Sequence, residues 1–84
     1  MILNMQTNSL ASLQAGEQAT IRSIQAEEAL LQRMTALGFR IGRQIELVRR
    51  ASFSGPLHVR IGSTDIMLRQ LDARRIQITD TRPA

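Results

Sequence analysis

The chain has no cysteine, tryptophan, tyrosine or lysine among its 84 residues, and only two phenylalanines, Phe39 and Phe53. Without cysteine there is no disulfide, no thiolate nucleophile and no thiolate metal site, a composition that suits a reducing cytoplasm. Without lysine there is no glycine-rich phosphate loop ending in Lys, so the chain is not itself a nucleotide triphosphatase of that design. With two aromatics, the core must be assembled from Leu, Ile, Val, Met and Ala. No run of eighteen apolar residues occurs, which excludes a membrane-spanning helix. Residues 1–3 are too few for the apolar part of a signal peptide and no basic residue precedes them, so the expected location is cytoplasmic.

What is present is an ordinary globular composition, 43% hydrophobic and 21% charged, of a length that makes one domain with one core. Eleven arginines against seven carboxylates leave a net charge of +4. The isoelectric point of 11.6 overstates this excess, because nothing titrates between neutrality and the arginines. A charge of +4 is compatible with nucleic acid, an anionic membrane surface or an acidic protein, and selects none of them.

The stretch from Leu30 to Gly42 organises the chain. Leu30, Leu31, Met34 and Leu37 recur at helical spacing and predict an apolar face on a helix over about 27–37. Glu27 and Glu28 fall where negative charge complements the unpaired N–H groups of the first turn. Gly38 predicts a left-handed stop, with Phe39 packing back on Met34. Elsewhere the period is near 2. Strands are expected over 18–25, 43–50, 57–61, 65–69 and 75–79, with a single helical turn at 70–74. Gly42 turns the chain into its longest strand, Gly55-Pro56 marks a turn, and Gly62-Ser63 predicts a two-residue hairpin with Gly at the first central position. Five antiparallel strands and one inserted helix in so short a chain argue for a mainly β, strongly bent sheet closed into a small barrel over residues 10–79. Residues 1–9 are expected to be a loose lead-in and 80–84 a fraying tail.

The series Arg33-Met34-Thr35-Ala36-Leu37-Gly38-Phe39-Arg40-Ile41-Gly42, then Ile45 to Ala51, a Gly/Pro turn, Ile66-Met67-Leu68-Arg69, and Ala73 ahead of Ile76, resembles the FeoA family of ferrous-iron transport proteins. The resemblance implies an SH3-like barrel and a non-catalytic accessory role in ferrous iron uptake. It also implies a partner, the cytosolic GTPase region of the FeoB iron permease, and a likeness to the C-terminal module of iron-dependent repressors. The family's turn is usually Gly-Asp-Pro; here it is Ser54-Gly55-Pro56, so no acidic role carries over.

The residues themselves supply no catalytic set: there is no nucleophile with a nearby base. One histidine, no cysteine and scattered carboxylates do not make a metal site, and His58 reads as an ordinary outward strand residue. No cofactor is expected. The candidate partner-binding residues are Phe53, an aromatic on a turn, and Met67, out of phase with the core positions Ile66 and Leu68. Arg33 on the polar face of the helix and Arg49 at the end of a strand complete the set. The bland reading, in which Phe53 folds over a barrel end and Met67 packs on the helix, weighs slightly more. Exposed edges and Met67 permit a homo-oligomer without requiring one. The alternative to an interaction module is a small basic barrel that binds nucleic acid, and the scarcity of aromatic stacking platforms argues against it.

Overall fold

The computed structural model describes residues 8–84. The elements follow in the order β1 (Asn8–Ser9), a 3-10 turn (Leu10–Ser12), β2 (Glu17–Ile24), α1 (Glu28–Leu37), β3 (Gln44–Arg50), β4 (Leu57–Ile61), β5 (Thr64–Leu68), α2 (Gln70–Ala73) and β6 (Ile76–Pro83). All strands belong to one antiparallel sheet in the order β1-β6-β2-β3-β4-β5. The sheet has six strands rather than the expected five, because Asn8 and Ser9 pair with Ile78 and Gln77. The expected lead-in therefore ends before Asn8, and its residues 1–7 lie outside the described part.

Alternation sets which side of each strand is buried. Ala19 and Ile21, Ile45 and Leu47, Leu57, Val59 and Ile61, Ile66 and Leu68, and Ile76 and Ile78 all point inward. Each of the Ile, Leu and Val side chains in this set contributes roughly 1.5–3 kcal/mol when taken out of water. Leu10 and Leu13 close one part of this core and Phe39 another, each at most 1% exposed. Three register shifts bend the sheet around the core: two between β2 and β6, and one between Leu47 and Arg49 against β4. A bulge adds one unpaired residue and sharpens the local twist.

Helix α1 starts at Glu28, with Glu27 in extended geometry just before it. It ends as the glycine predicts: Gly38 has φ of +108°, its N–H donates to Thr35 O and the Phe39 N–H donates to Met34 O, both at 3.0 Å. Paired donations of this kind satisfy two carbonyls left open at a helix end. The apolar face is narrower than its spacing suggests. Met34 is buried and Leu30 packs at the edge of the core, but Leu31 is 37% and Leu37 50% exposed. Leu31 is one residue, about 100°, around the helix from Leu30. Leu37 sits in the last turn, and Phe39 beyond it takes the core position.

At the other end of the chain, β6 runs on through Pro83, and the Ala84 N–H donates to Gly16 O at 2.8 Å. The expected fraying of residues 80–84 is thus corrected. Residues 79–83 carry no apolar alternation and their side chains are exposed; pairing with Glu17, Gln18 and Thr20 holds them.

Candidate functional site

The loop between β3 and β4 is built on a four-residue turn. Gly55 N–H donates to Ser52 O at 3.1 Å, and the Ala51 N–H donates to Pro56 O at 3.2 Å below it. The two central residues, Phe53 and Ser54, have φ of +56° and +62°. Such turns favour Asn-Gly, because residues with a Cβ are strained at positive φ. Gly55 is required for a different reason: a Cβ there would lie 2.7 Å from the Ala51 Cβ. The strained turn holds the Phe53 side chain fully in solvent, 100% exposed. The expectation that Phe53 folds over a barrel end does not hold.

From this turn the outer face of β3, β4 and β5 continues in register. Arg49 lies opposite His58, and His58 opposite Met67. Arg49 is exposed, His58 half-buried, and Met67 64% exposed rather than packed on the helix. The neighbouring row is Glu46, Arg60 and Asp65. Arg60 Nε donates to Asp65 Oδ1 at 2.6 Å and Nη2 donates to Oδ2 at 3.3 Å, a two-pronged pair. His58 Nε2 stands 3.2 Å from Asp65 Oδ2, and Glu46 lies 4.0 Å from Arg60. The hydrogen bond from Arg60 holds the Asp65 carboxyl below its usual range, with a smaller contribution from His58, while Asp65 in turn raises Arg60.

The bulge at Val48 decides where the paired arginines go. It puts Arg49 opposite His58 on the outer face, so the next residue, Arg50, lies opposite inward-facing Leu57. There Arg50 Nη1 donates to the carbonyls of Ala11 at 2.9 Å and Leu13 at 2.8 Å. Arg50 is thus a clamp on the 3-10 turn. Arg69 at the end of β5 donates to Asp72 at 3.3 Å.

Of the four residues singled out in the sequence, three fall together: Phe53, Arg49 and Met67 lie on the β3–β5 face and its turn. Arg33 does not join them. It is exposed on α1, whose end faces the other end of β4: a Cβ at Gly38 would lie 4.0 Å from Ile61 Cγ2, beside the Gly62 hairpin. Sequence reasoning missed an apolar ledge beside the Phe53 turn. Ser54, Gly55, Pro56, Arg69, Gln70 and Leu71 line a shallow cavity of about 340 Å³, and Leu71 is 65% exposed. No sequence signal separates Leu71 from a core position such as Ala73; only its exposure in the fold does. Among the described residues no group of three or more His, Cys, Asp or Glu is placed to hold a metal ion, and no helix is long and apolar enough to cross a membrane.

A single bent antiparallel sheet of short strands, with a helix set between its second and third strands and its apolar excess on a turn and an outer face, defines a small SH3-like domain. The FeoA domain model matches residues 8–80, and the chain belongs to that family. Among solved structures it is similar to a zinc-complexed FeoA from Stenotrophomonas maltophilia, with 27% identity and a TM-score of 0.80 over 90% of this chain and 96% of that one. It is also similar to iron(II) transport protein A from Clostridium thermocellum, at 30% identity and a TM-score of 0.81, covering 84% of this chain and 44% of that one. A manganese-dependent transcriptional repressor in complex with manganese matches at 19% identity and a TM-score of 0.79, over 87% of this chain and 36% of the repressor, a likeness of fold alone. No curated protein sequence matches the chain.

Proposed function

We propose that the chain is a non-catalytic, cytosolic accessory module of ferrous iron uptake that docks on the GTPase region of a FeoB-type iron permease. Membership of the FeoA family supports the process, and two solved relatives are described as an iron(II) transport protein and as a proposed ferrous iron transport activating factor. The observation that carries the docking is Phe53, fully exposed on a turn strained to display it, at the end of a face that also leaves Arg49 and Met67 in solvent. Exposed aromatic, methionine and arginine side chains on one face are the residue types enriched in interface hot spots. The chemistry of the partner surface follows: an apolar pocket for Phe53 with carboxylates at its rim.

The test is a calorimetric titration of the chain into the purified cytosolic region of the permease, loaded with GTP and, separately, with GDP. Binding by the wild type that weakens at least tenfold in Phe53→Ala is expected, an effect of the size typical of an interface hot spot. Absence of binding in both nucleotide states sinks the proposal. Binding that Phe53→Ala and Met67→Ala leave unchanged moves the interface elsewhere on the domain.

A further inference from the structure

A second site is built where β2 bulges against β6. Ile21 pairs with Ile78 and Ser23 with Gln77, so Arg22 and Ser23 together oppose one residue of β6. Such a bulge re-aims side chains, and here Arg22, Ser23, Gln25 and Gln77 come to line one cavity of about 380 Å³. The next residues along each strand reinforce it. The Gln25 N–H donates to Arg75 O at 2.7 Å, and Arg75 Nη1 returns a longer bond of 3.5 Å to Gln25 O, which holds a second guanidinium beside Gln25. Gln77 Nε2 donates to Arg74 O at 3.2 Å, which fixes its amide beside the cavity and leaves its other N–H available.

The lining is a set of hydrogen-bond donors without a counter-charge. No carboxylate lines the cavity, and among the described residues the ion pairs engage Arg60, Arg69 and His58 but neither Arg22 nor Arg75. A guanidinium is always charged and matches the geometry of phosphate oxygens with paired donors. A hydroxyl and two side-chain amides complete the shell of a group with several oxygens to satisfy.

We propose that the β2 bulge forms an oxyanion pocket that takes a phosphate group, with Arg22 as its principal ligand and Arg75, held beside Gln25, as a second. The pocket lies on β2 and β6, whereas the docking face lies on β3 to β5, so the two proposals stand or fall separately. The phosphate is carried either by a small soluble molecule or by an anionic lipid headgroup.

The full chain is titrated with inorganic phosphate at an ionic strength held constant with chloride, and amide shifts are followed by NMR. In parallel, sedimentation measures its binding to vesicles of phosphatidylglycerol and of phosphatidylcholine. Saturable shifts at Arg22, Ser23, Gln25 and Gln77, weakened about tenfold in Arg22→Gln and unchanged in Arg33→Gln, are expected for a soluble phosphate. Co-sedimentation with phosphatidylglycerol alone, lost in Arg22→Gln and kept in Arg33→Gln, assigns the headgroup. Arg75→Gln provides an independent second variant, and the dispersed spectrum of each variant reports its folding. No saturable response to either probe overturns the proposal. Equal losses in Arg22→Gln and Arg33→Gln overturn it too, because they describe diffuse charge rather than a site.

Discussion

Arg50 shows how one side chain ties two distant parts of the chain. Its guanidinium satisfies the carbonyls of Ala11 and Leu13, 39 and 37 residues away in sequence, and so fixes the turn that delivers Leu10 and Leu13 to the core. Hydrogen bonds from a charged donor contribute about 1.5–3 kcal/mol each, and a buried acceptor left without a partner adds to the loss. Arg50→Met, which keeps the aliphatic stem and removes the donors, should destabilise the fold by about 2–3 kcal/mol. In a domain of this size that lowers the melting temperature by roughly 10–20 °C, readable by circular dichroism. Arg49→Met, one residue earlier on the solvent side, should change it by no more than about 0.5 kcal/mol.

Asp65 carries the pH dependence of the outer face. Its carboxyl is held below the ordinary aspartate value, first by the hydrogen bond from Arg60 and then by His58. A carboxyl depressed in the folded state adds stability above its unfolded value of about 3.9, and that contribution disappears as the pH falls through the lower folded value. Acid unfolding curves followed between pH 5 and 2 should therefore show a loss in the wild type that Asp65→Asn reduces. Since Asp65 is exposed, the effect is small and salt-sensitive.

At the scale of elements, the β3–β4 turn sets display against stability. Two consecutive non-glycine residues at positive φ cost about 1–2 kcal/mol each. Replacing Phe53-Ser54 by Asn-Gly, the pair such a turn prefers, should raise the melting temperature while weakening partner binding. A variant that gains stability and keeps full binding would show that Phe53 is not an anchor.

The elements also show what a linear sequence discloses. Helix α1 and its stop at Gly38 follow from spacing and from one glycine, and the Gly62-Ser63 hairpin from a two-residue turn: Gly62 has φ of +61° and Ile61 pairs with Thr64. Strand β4 follows from strict alternation. The bulges at Val48 and Arg22 left no such mark, because an inserted residue is only visible against its partner strand. They nevertheless determine that Arg50 turns inward while Arg49 stays on the outer face, and that Arg22 joins Ser23 and Gln77. The end of β6 was illegible for a related reason: Thr79, Asp80, Thr81 and Arg82 are exposed, so main-chain pairing alone defines the strand there. Phe53 and Met67 could be named from sequence because each breaks a pattern. Whether each was covered depended on the packing of neighbours far along the chain.

For the molecule as a whole, the two faces divide the work. Strands β3 to β5 carry Phe53, Arg49 and Met67 with a largely self-neutralised charge row beside them, whereas β2 and β6 carry arginines without carboxylate partners. A net charge of +4 is divided between these faces, and with Phe39 buried only Phe53 is left as a stacking platform. General binding to nucleic acid should consequently be weak and should fall steeply with salt. Fluorescence anisotropy with a labelled oligonucleotide at 50 and 200 mM salt checks this, and tight binding that persists at the higher salt would favour a nucleic-acid role.

The central claim is that this FeoA-family domain binds a permease GTPase region through the Phe53 end of its sheet. Its most direct test is an amide NMR map of the labelled chain during titration with that region. The account predicts that the largest perturbations fall on residues 49–56 and on His58, Met67 and Leu71, with α1 little changed. Perturbations centred on Arg33, Thr35 and Ala36 of α1, with the Phe53 turn unaffected, would contradict it.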